Sequence, residues 1–132
     1  MTDPINPFNH IDLRVPRMAE VLPFYEALLP ALGFTVTSHD PEWKVFATGT
    51  ARTPSTAYFG LTEDRAHKPN GTRIAFWVPT RADVDRLARI VTQSGGRNVS
   101  GPKACPDYSP TYYAVFFEDP CGNRLEICHR EN

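Results

Sequence analysis

An excess of charge of either sign is missing from the sequence. Its 132 residues contain 14 Lys and Arg against 15 Asp and Glu, so the formal net charge is −1. Proteins that bind nucleic acid neutralise phosphates with clustered basic side chains, and the sequence contains no basic run. We therefore expect no nucleic-acid partner.

Long apolar runs are missing as well. No run approaches the ~20 consecutive apolar residues that a helix needs to cross a bilayer. Residues 1–4 (MTDP) lack the basic and apolar regions of a secretory signal. We expect a protein without a membrane partner and with a cytoplasmic location.

Cysteine is scarce, whereas proline is abundant. Cys105, Cys121 and Cys128 form no CxxC pair, which argues against a disulfide framework and a structural zinc module and favours reduced thiols. The 13 prolines are about twice the usual share and are spread along the chain, which predicts many short elements. At this length we expect a single domain over residues 1–132.

An internal repeat organises this domain. A shift of 63 residues aligns two halves with the same order of segments: an alternating strand, a proline, an amphipathic helix, a glycine and further strands. We therefore predict two modules, over residues 9–63 and 72–130. The shift produces six identities, which are Ile11 with Ile74, Val15 with Val78, Pro16 with Pro79, Ala19 with Ala82, Val21 with Val84 and Gly33 with Gly96.

Each half shows the periodicities of one helix and four strands. Residues 10–15 and 73–78 alternate polar and apolar side chains, as half-buried strands do. Apolar residues at helical spacing follow in each half and end at glycine, and Thr80 is the predicted N-cap of the second helix. The pattern predicts an α+β fold with the order βαβββ twice. The remaining predicted strands are residues 34–38, 43–48, 56–62, 97–100, 112–118 and 123–128.

The alternation also divides the side chains of each strand between two faces. If the apolar residues of the first strand pack on a helix, His10 and Asp12 lie on the opposite face. The same rule places Arg73, Trp77 and Glu126 away from the second helix. This polar face is either the solvated side of a half-buried sheet or the lining of a cleft.

Three stretches resemble a known family: residues 9–15 (NHIDLRV), 24–34 (FYEALLPALGF) and 117–127 (FEDPCGNRLEI). In this order, and over nearly the whole chain, the sequence resembles the vicinal oxygen chelate superfamily, which contains glyoxalase I, extradiol dioxygenases and bleomycin-type antibiotic resistance proteins. It looks most like a glyoxalase-like bacterial subgroup. The resemblance implies two curved mixed sheets that form a cleft, in which catalytic members hold a divalent metal.

The resemblance also implies where the metal ligands would lie. Four strands of the family supply His, Glu or Gln, which suit Zn, Ni, Fe or Mn. Here the corresponding positions include two ligand types, His10 and Glu126. The other two positions hold Gly60, which has no side chain, and Arg73, whose guanidinium has no acceptor. We therefore expect the metal to be absent or weakly bound.

Other residues offer replacements for the missing ligands. Asp12 or Glu63 is a candidate substitute for a ligand. Arg73 offers an alternative to the metal, because a guanidinium beside Glu126 would form a charge-assisted pair and neutralise the carboxylate.

The resemblance implies two functions of different class. The first is a lyase or isomerase that moves a proton beside a carbonyl, with Glu126, His10 and Arg73 as catalytic residues. In its metal-independent form, Arg73 polarises a carbonyl or carboxylate and His10 acts as the base. The second is a non-catalytic protein that sequesters an antibiotic-type small molecule. A homodimer is expected in either case.

Ligand pockets are largely apolar with a few placed polar groups, which makes aromatic strand residues candidates for contact with the ligand. We predict that Asp12, Tyr58, Trp77 and Tyr113 bind substrate. Alternation places Tyr112 and Tyr113 on opposite faces of their strand and leaves open which of them faces the cleft.

Overall fold

A strand, a helix and three further strands follow one another in each half of the chain. The structure, a computed structural model, describes residues 7–50 and 57–131. The first half contains β1 (His10–Val15), α1 (Met18–Ala31), β2 (Val36–His39), β3 (Trp43–Ala47) and β4 (Tyr58–Glu63). The second half contains β5 (Arg73–Trp77), α2 (Arg81–Gln93), β6 (Arg97–Ala104), β7 (Tyr113–Glu118) and β8 (Arg124–His129). The predicted α+β fold of two βαβββ modules is confirmed.

Each half forms its own four-stranded mixed sheet. The orders are β1-β4-β3-β2 and β5-β8-β7-β6, so the first and last strands of each half are neighbours and the first strand lies at the edge of its sheet. These two strands run parallel, and the other neighbours run antiparallel. The opening strand and the helix of the second half begin 63 residues after those of the first, as the repeat predicts.

The N-terminus of α2 is capped by the residue just before it, whereas that of α1 is capped by a side chain from a distant strand. Thr80 is the N-cap of α2, as predicted, and its hydroxyl accepts a hydrogen bond from the Asp83 amide at 3.1 Å. The N-terminus of α1 lacks a local side-chain cap. Instead, Glu63 at the end of β4 accepts a hydrogen bond from the Met18 amide at 3.1 Å. Glu63 therefore stabilises the start of the helix, which is a different role from the ligand role considered for it.

One hydrophobic core joins the two modules. Alternate residues of β1 and β5 point into it, as the sequence predicts. Direct aromatic contact crosses between the sheets, because the ring of Phe59 on β4 lies 5.6 Å from that of Phe76 on β5. Phe24 of α1 also contacts Phe117 of β7 at 6.2 Å. The core therefore lies on the helix side of both sheets.

A buried polar network also ties the first module to the second. Asn123, at the turn before β8, donates hydrogen bonds to the Arg14 carbonyl on β1 at 3.0 Å and to Asp119 at 3.1 Å. Its side-chain oxygen lies 2.8 Å from Nε2 of His67. Tyr25 of α1 donates to the same Asp119 carboxylate at 2.6 Å, and both residues are fully buried. Burial and the Asp119 charge raise the pKa of Tyr25. The network fixes β1 against the start of β8.

The end of β6 differs from the sequence prediction for an identifiable reason. β6 runs to Ala104 although Gly101 and Pro102 would be expected to end it. It is an edge strand with two register shifts against β7, and an edge tolerates proline because one side needs no ladder hydrogen bonds. The predicted start of the fourth strand, Thr56, lies outside the described residues. No helix in the described part of the chain is long and apolar enough to cross a membrane.

Candidate functional site

The candidate site lies on the sheet faces that point away from the helices. We call them the first open face, which β1, β3 and β4 form in the first module, and the second open face, which β5, β7 and β8 form in the second. The register places Asp12 opposite Gly60 on the first, and Ala75 opposite Glu126 on the second. Gly60 and Glu126 therefore occupy equivalent positions in the two modules.

On the first open face, the space that a side chain at position 60 would take is filled. A Cβ on Gly60 would overlap Oδ1 of Asp12 and lie 3.0 Å from Nε1 of Trp43. Those two atoms form a hydrogen bond of 3.2 Å. The carboxylate of this module thus comes from β1, opposite a glycine, whereas that of the second module comes from β8, opposite Ala75. Each module therefore has one carboxylate on its open face at this pair of register positions, Asp12 in the first and Glu126 in the second.

His10 continues this face with an aromatic stack. Its ring lies parallel to that of Tyr58, at a centroid distance of 4.4 Å and an interplanar angle of 3°. Trp43 meets Tyr58 edge to face at 6.5 Å. Nδ1 of His10 lies 2.8 Å from the side-chain oxygen of Asn9. The predicted residues His10, Asp12 and Tyr58 are therefore brought together, and Trp43 completes the group.

Glu126 is the buried carboxylate of the second open face, with 5% of its surface exposed. The hydroxyl of Tyr112 donates a hydrogen bond to it. Burial and this hydrogen bond raise the pKa of Tyr112, so its hydroxyl keeps its proton and remains a donor. The structure resolves the choice between neighbouring tyrosines, because Tyr112 lies toward the open face.

Arg73 does not pair with Glu126, contrary to the expected ion pair. Among the described residues, no carboxylate lies within salt-bridge distance of Arg73. Its guanidinium carbon lies 5.0 Å from the centre of the Phe116 ring instead. The parallel register explains the difference, since Arg73 lies opposite Arg124, and Glu126 lies opposite Ala75.

The segment 105–112, between β6 and β7, places Tyr108 on the second open face, a position that strand periodicity did not predict. Tyr108 contacts Tyr112 at 5.2 Å and Phe116 at 6.4 Å, edge to face in both cases. Lys103, at the end of β6, lies with its ammonium 5.6 Å from the centre of the Phe116 ring. The alternation of the strands does not predict this placement of Tyr108, because it depends on the path that the segment 105–112 takes over the sheet.

Two predicted substrate-binding residues lie apart from this group. Trp77 lies at the end of β5 with 57% of its surface exposed, and its indole donates to the Arg130 carbonyl at 3.1 Å. Tyr113 points toward α2, where its hydroxyl donates to Asp85 at 2.6 Å. Alternation along β7 thus directs Tyr113 to the helix side of the sheet, away from Glu126.

The thiols are poorly suited to nucleophilic chemistry. All three cysteines are free. Burial and the neighbouring Asp119 raise the pKa of Cys121 to about 12. Burial also raises the pKa of Cys128, although the Tyr112 hydroxyl opposes this effect. The thiolate is the reactive form, so these two groups are unreactive near neutral pH.

The residues present do not fit a four-ligand metal site. Within residues 7–50 and 57–131, no three His, Cys, Asp or Glu side chains form a group that could hold a metal ion. Position 60 offers no ligand and its space is taken by Asp12, which is itself bonded to Trp43. Arg73 has no lone pair to donate. Only His10 and Glu126 retain ligand chemistry at the four implied positions.

Comparison with known proteins gives one family and one fold. The model of the Glyoxalase/Bleomycin resistance protein/Dioxygenase superfamily matches residues 8–127. A glyoxalase/bleomycin resistance protein from Albidiferax ferrireducens has a similar structure, with a TM-score of 0.72 and 23% identity over 96% of this chain and 100% of its own. No curated protein sequence matches the chain.

Fosfomycin resistance proteins share the fold. The protein from Listeria monocytogenes has a TM-score of 0.71 and 14% identity, over 96% of this chain and 95% of its own. The one from Mesorhizobium loti has a TM-score of 0.69 and 16% identity, over 96% and 94%. At these identities the similarity is one of architecture.

Proposed function

Because the chain belongs to the glyoxalase/bleomycin resistance protein/dioxygenase superfamily, we propose that it binds a small organic molecule in a cleft that its open faces line. The arrangement of Glu126 carries this proposal. A buried carboxylate costs free energy unless it is satisfied, and here only the tyrosine hydroxyl of Tyr112 donates to it among the described residues. Two aromatic residues adjoin it, Tyr112 through its hydroxyl and Phe116 opposite it in the register, and aromatic neighbours suit the apolar body of a ligand.

The chemistry that these groups support is proton transfer beside a carbonyl, as in a lyase or isomerase. Glu126 is the acceptor that would take the proton from the carbon beside the carbonyl. Tyr112 would then donate a hydrogen bond to the negatively charged substrate oxygen and stabilise it. Arg73 would polarise the carbonyl or a neighbouring carboxylate. His10, on the first open face, is the second candidate base. No step of this chemistry passes through a metal in our proposal.

Deuterium exchange tests this chemistry without knowledge of the natural substrate. In D₂O, NMR follows the loss of the proton beside the carbonyl in a panel of small ketones, aldehydes and 2-oxoacids. We expect Glu126→Gln to slow the exchange by about 10²-fold or more. Glu118→Gln is the matched control, because Glu118 lies on the same sheet and accepts from Asn98 at 3.0 Å. Equal rates in the native protein and Glu126→Gln would reject the catalytic role.

Sequestration without catalysis is the alternative function, and the aromatic group on the first open face favours it. The stacked rings of His10 and Tyr58, with Trp43 edge-on, offer a flat surface on which a ligand can bind without reacting. Fosfomycin resistance proteins among the structural neighbours make antibiotics suitable first probes. Tight binding of an unchanged ligand, with no exchange, would support this alternative.

We also propose that the native protein holds metal weakly. The reason is that Gly60 and Arg73 remove two of the four implied ligands, and the space at position 60 is occupied. Elemental analysis of the purified protein should therefore find much less than one Zn, Ni, Fe or Mn per chain. One tightly held ion per chain would contradict the proposal.

A homodimer is the assembly that we propose. Trp43 and Trp77 are 39% and 57% exposed on or beside the open faces, and their burial against a second chain would be favourable. Sedimentation equilibrium measures the assembly directly. A monomer over the whole concentration range would contradict it.

A further inference from the structure

Three basic side chains lie together on the second open face, and we call them the basic cluster: Arg73, Lys103 and Arg124. The first two contact one aromatic ring, with the guanidinium carbon 5.0 Å and the ammonium nitrogen 5.6 Å from the centre of Phe116. Arg124 lies directly opposite Arg73 in the parallel register of β5 and β8. Phe116 in turn lies opposite Glu126. The cluster therefore borders the candidate site.

The basic cluster is not neutralised by salt bridges within the described part of the chain. None of its three members has a carboxylate within salt-bridge distance there. Lys103 donates only to the Ser100 hydroxyl, at 2.8 Å. The two carboxylates of this sheet are engaged elsewhere, Glu126 with Tyr112 and Glu118 with Asn98.

Such an arrangement is unfavourable for folding alone. Like charges directly opposite each other on neighbouring strands repel, and Arg73 and Arg124 are such a pair. Glu118 lies opposite Arg124 on the other side, but it accepts from Asn98 and forms no salt bridge with Arg124. Sites where a sequence breaks a local rule of this kind tend to be functional. An anion placed beside the pair would remove the repulsion, and a guanidinium can bind the two oxygens of an oxyanion at once.

We infer that the basic cluster recognises an anionic group of the ligand, a carboxylate or phosphoryl group attached to an apolar body. This inference rests on the proposed function, because it assigns the ligand class of the same cleft. Phe116 holds the two cationic groups over its ring, and Tyr108, with 62% of its surface exposed, adds apolar contact beside it. The anionic group thereby places the rest of the ligand beside Glu126.

Matched probes of different charge test the inference. Benzoate and phenylphosphonate carry the two anionic groups, and benzamide and benzyl alcohol are their neutral counterparts. Binding to the native protein is followed by chemical shifts in ¹H–¹⁵N NMR spectra. We expect each anion to bind at least about tenfold more tightly than its neutral counterpart, and this difference to shrink as NaCl rises from about 50 mM to about 500 mM.

Charge-removing variants locate the binding of the anions. Arg73→Gln and Lys103→Gln should each weaken binding of the anions about fivefold or more and leave binding of benzamide unchanged. Arg65→Gln is the matched control, because Arg65 is an exposed arginine whose carboxylate neighbour is Glu63, at 3.7 Å. It should change neither affinity.

The outcomes separate this inference from the function on which it rests. Neutral probes that bind as tightly as the anions, in the native protein and at both salt concentrations, would overturn the inference while the cleft remained a binding site. Anion binding that Arg65→Gln weakens as much as Arg73→Gln does would overturn it as well. Absence of binding by every probe of either charge would count against both proposals. The salt dependence is measured on the native chain, so it decides even if a variant fails to fold.

Discussion

Replacing Asn123 by alanine will lower the free energy of unfolding by about 2–4 kcal/mol. The side chain is buried and donates to the Arg14 carbonyl and to the fully buried Asp119 carboxylate, so its loss leaves both acceptors with fewer partners. It also removes the contact with His67. Urea unfolding followed by circular dichroism measures the change.

Tyr25→Phe probes the same network from α1. It removes only the hydroxyl that donates to Asp119 and keeps the ring in contact with Phe24 and Phe59. We expect a loss of about 1–3 kcal/mol. The matched control is Tyr108→Phe, whose exposed hydroxyl should contribute less than about 0.5 kcal/mol.

The double variant Tyr25→Phe/Asn123→Ala separates a network from two independent sites. Because both side chains donate to Asp119, their effects should depart from additivity by about 0.5 kcal/mol or more. Strict additivity, or an Asn123→Ala variant as stable as the native protein, would show that this network does not hold the modules together.

Local periodicity is enough to predict which face of each strand points to the core. His10 and Asp12 alternate with apolar residues along β1, and Arg73 and Trp77 do so along β5, so their direction follows from the strand itself. The repeat places the two strands in equivalent positions. The fold class could be predicted for the same reason, because each module contains its own pattern of strand, helix and strands.

Contacts between distant segments could not be predicted in this way. Charge complementarity suggested that Arg73 would pair with Glu126, but the register between β5 and β8 sets Arg73 opposite Arg124. Glu126 is satisfied by Tyr112, which reaches it from the end of the segment 105–112. No periodic signal marks the path of such a segment.

One contact between distant segments does have a signal in the sequence, the glycine at position 60. A glycine inside a strand indicates the close approach of another group, and Gly60 lies in the interior of β4. The structure identifies that group as the hydrogen-bonded pair of Asp12 and Trp43. The sequence could not name Trp43, because its position depends on the register between β3 and β4.

Restoring the missing ligands should create a tight metal site if the four implied positions meet in one cleft. We expect the triple variant Asp12→Ala/Gly60→Glu/Arg73→His to bind Zn²⁺ at least about a hundredfold more tightly than the native protein, because the number of ligand side chains rises from two to four. Asp12→Ala is included because a Cβ at position 60 would overlap the Asp12 carboxylate. Competition with a fluorescent zinc chelator measures the affinity.

Two comparison variants show whether the gain comes from the cleft. Gly60→Glu/Arg73→His with Asp12 retained should gain less, because the new side chain and the Asp12–Trp43 pair compete for one space. Adding Glu126→Ala to the triple variant should abolish most of the gain, since one of the four ligands is removed. If the triple variant binds Zn²⁺ no more tightly than the native chain, His10 and Glu126 do not face one cleft, and the proposed site would have to be abandoned.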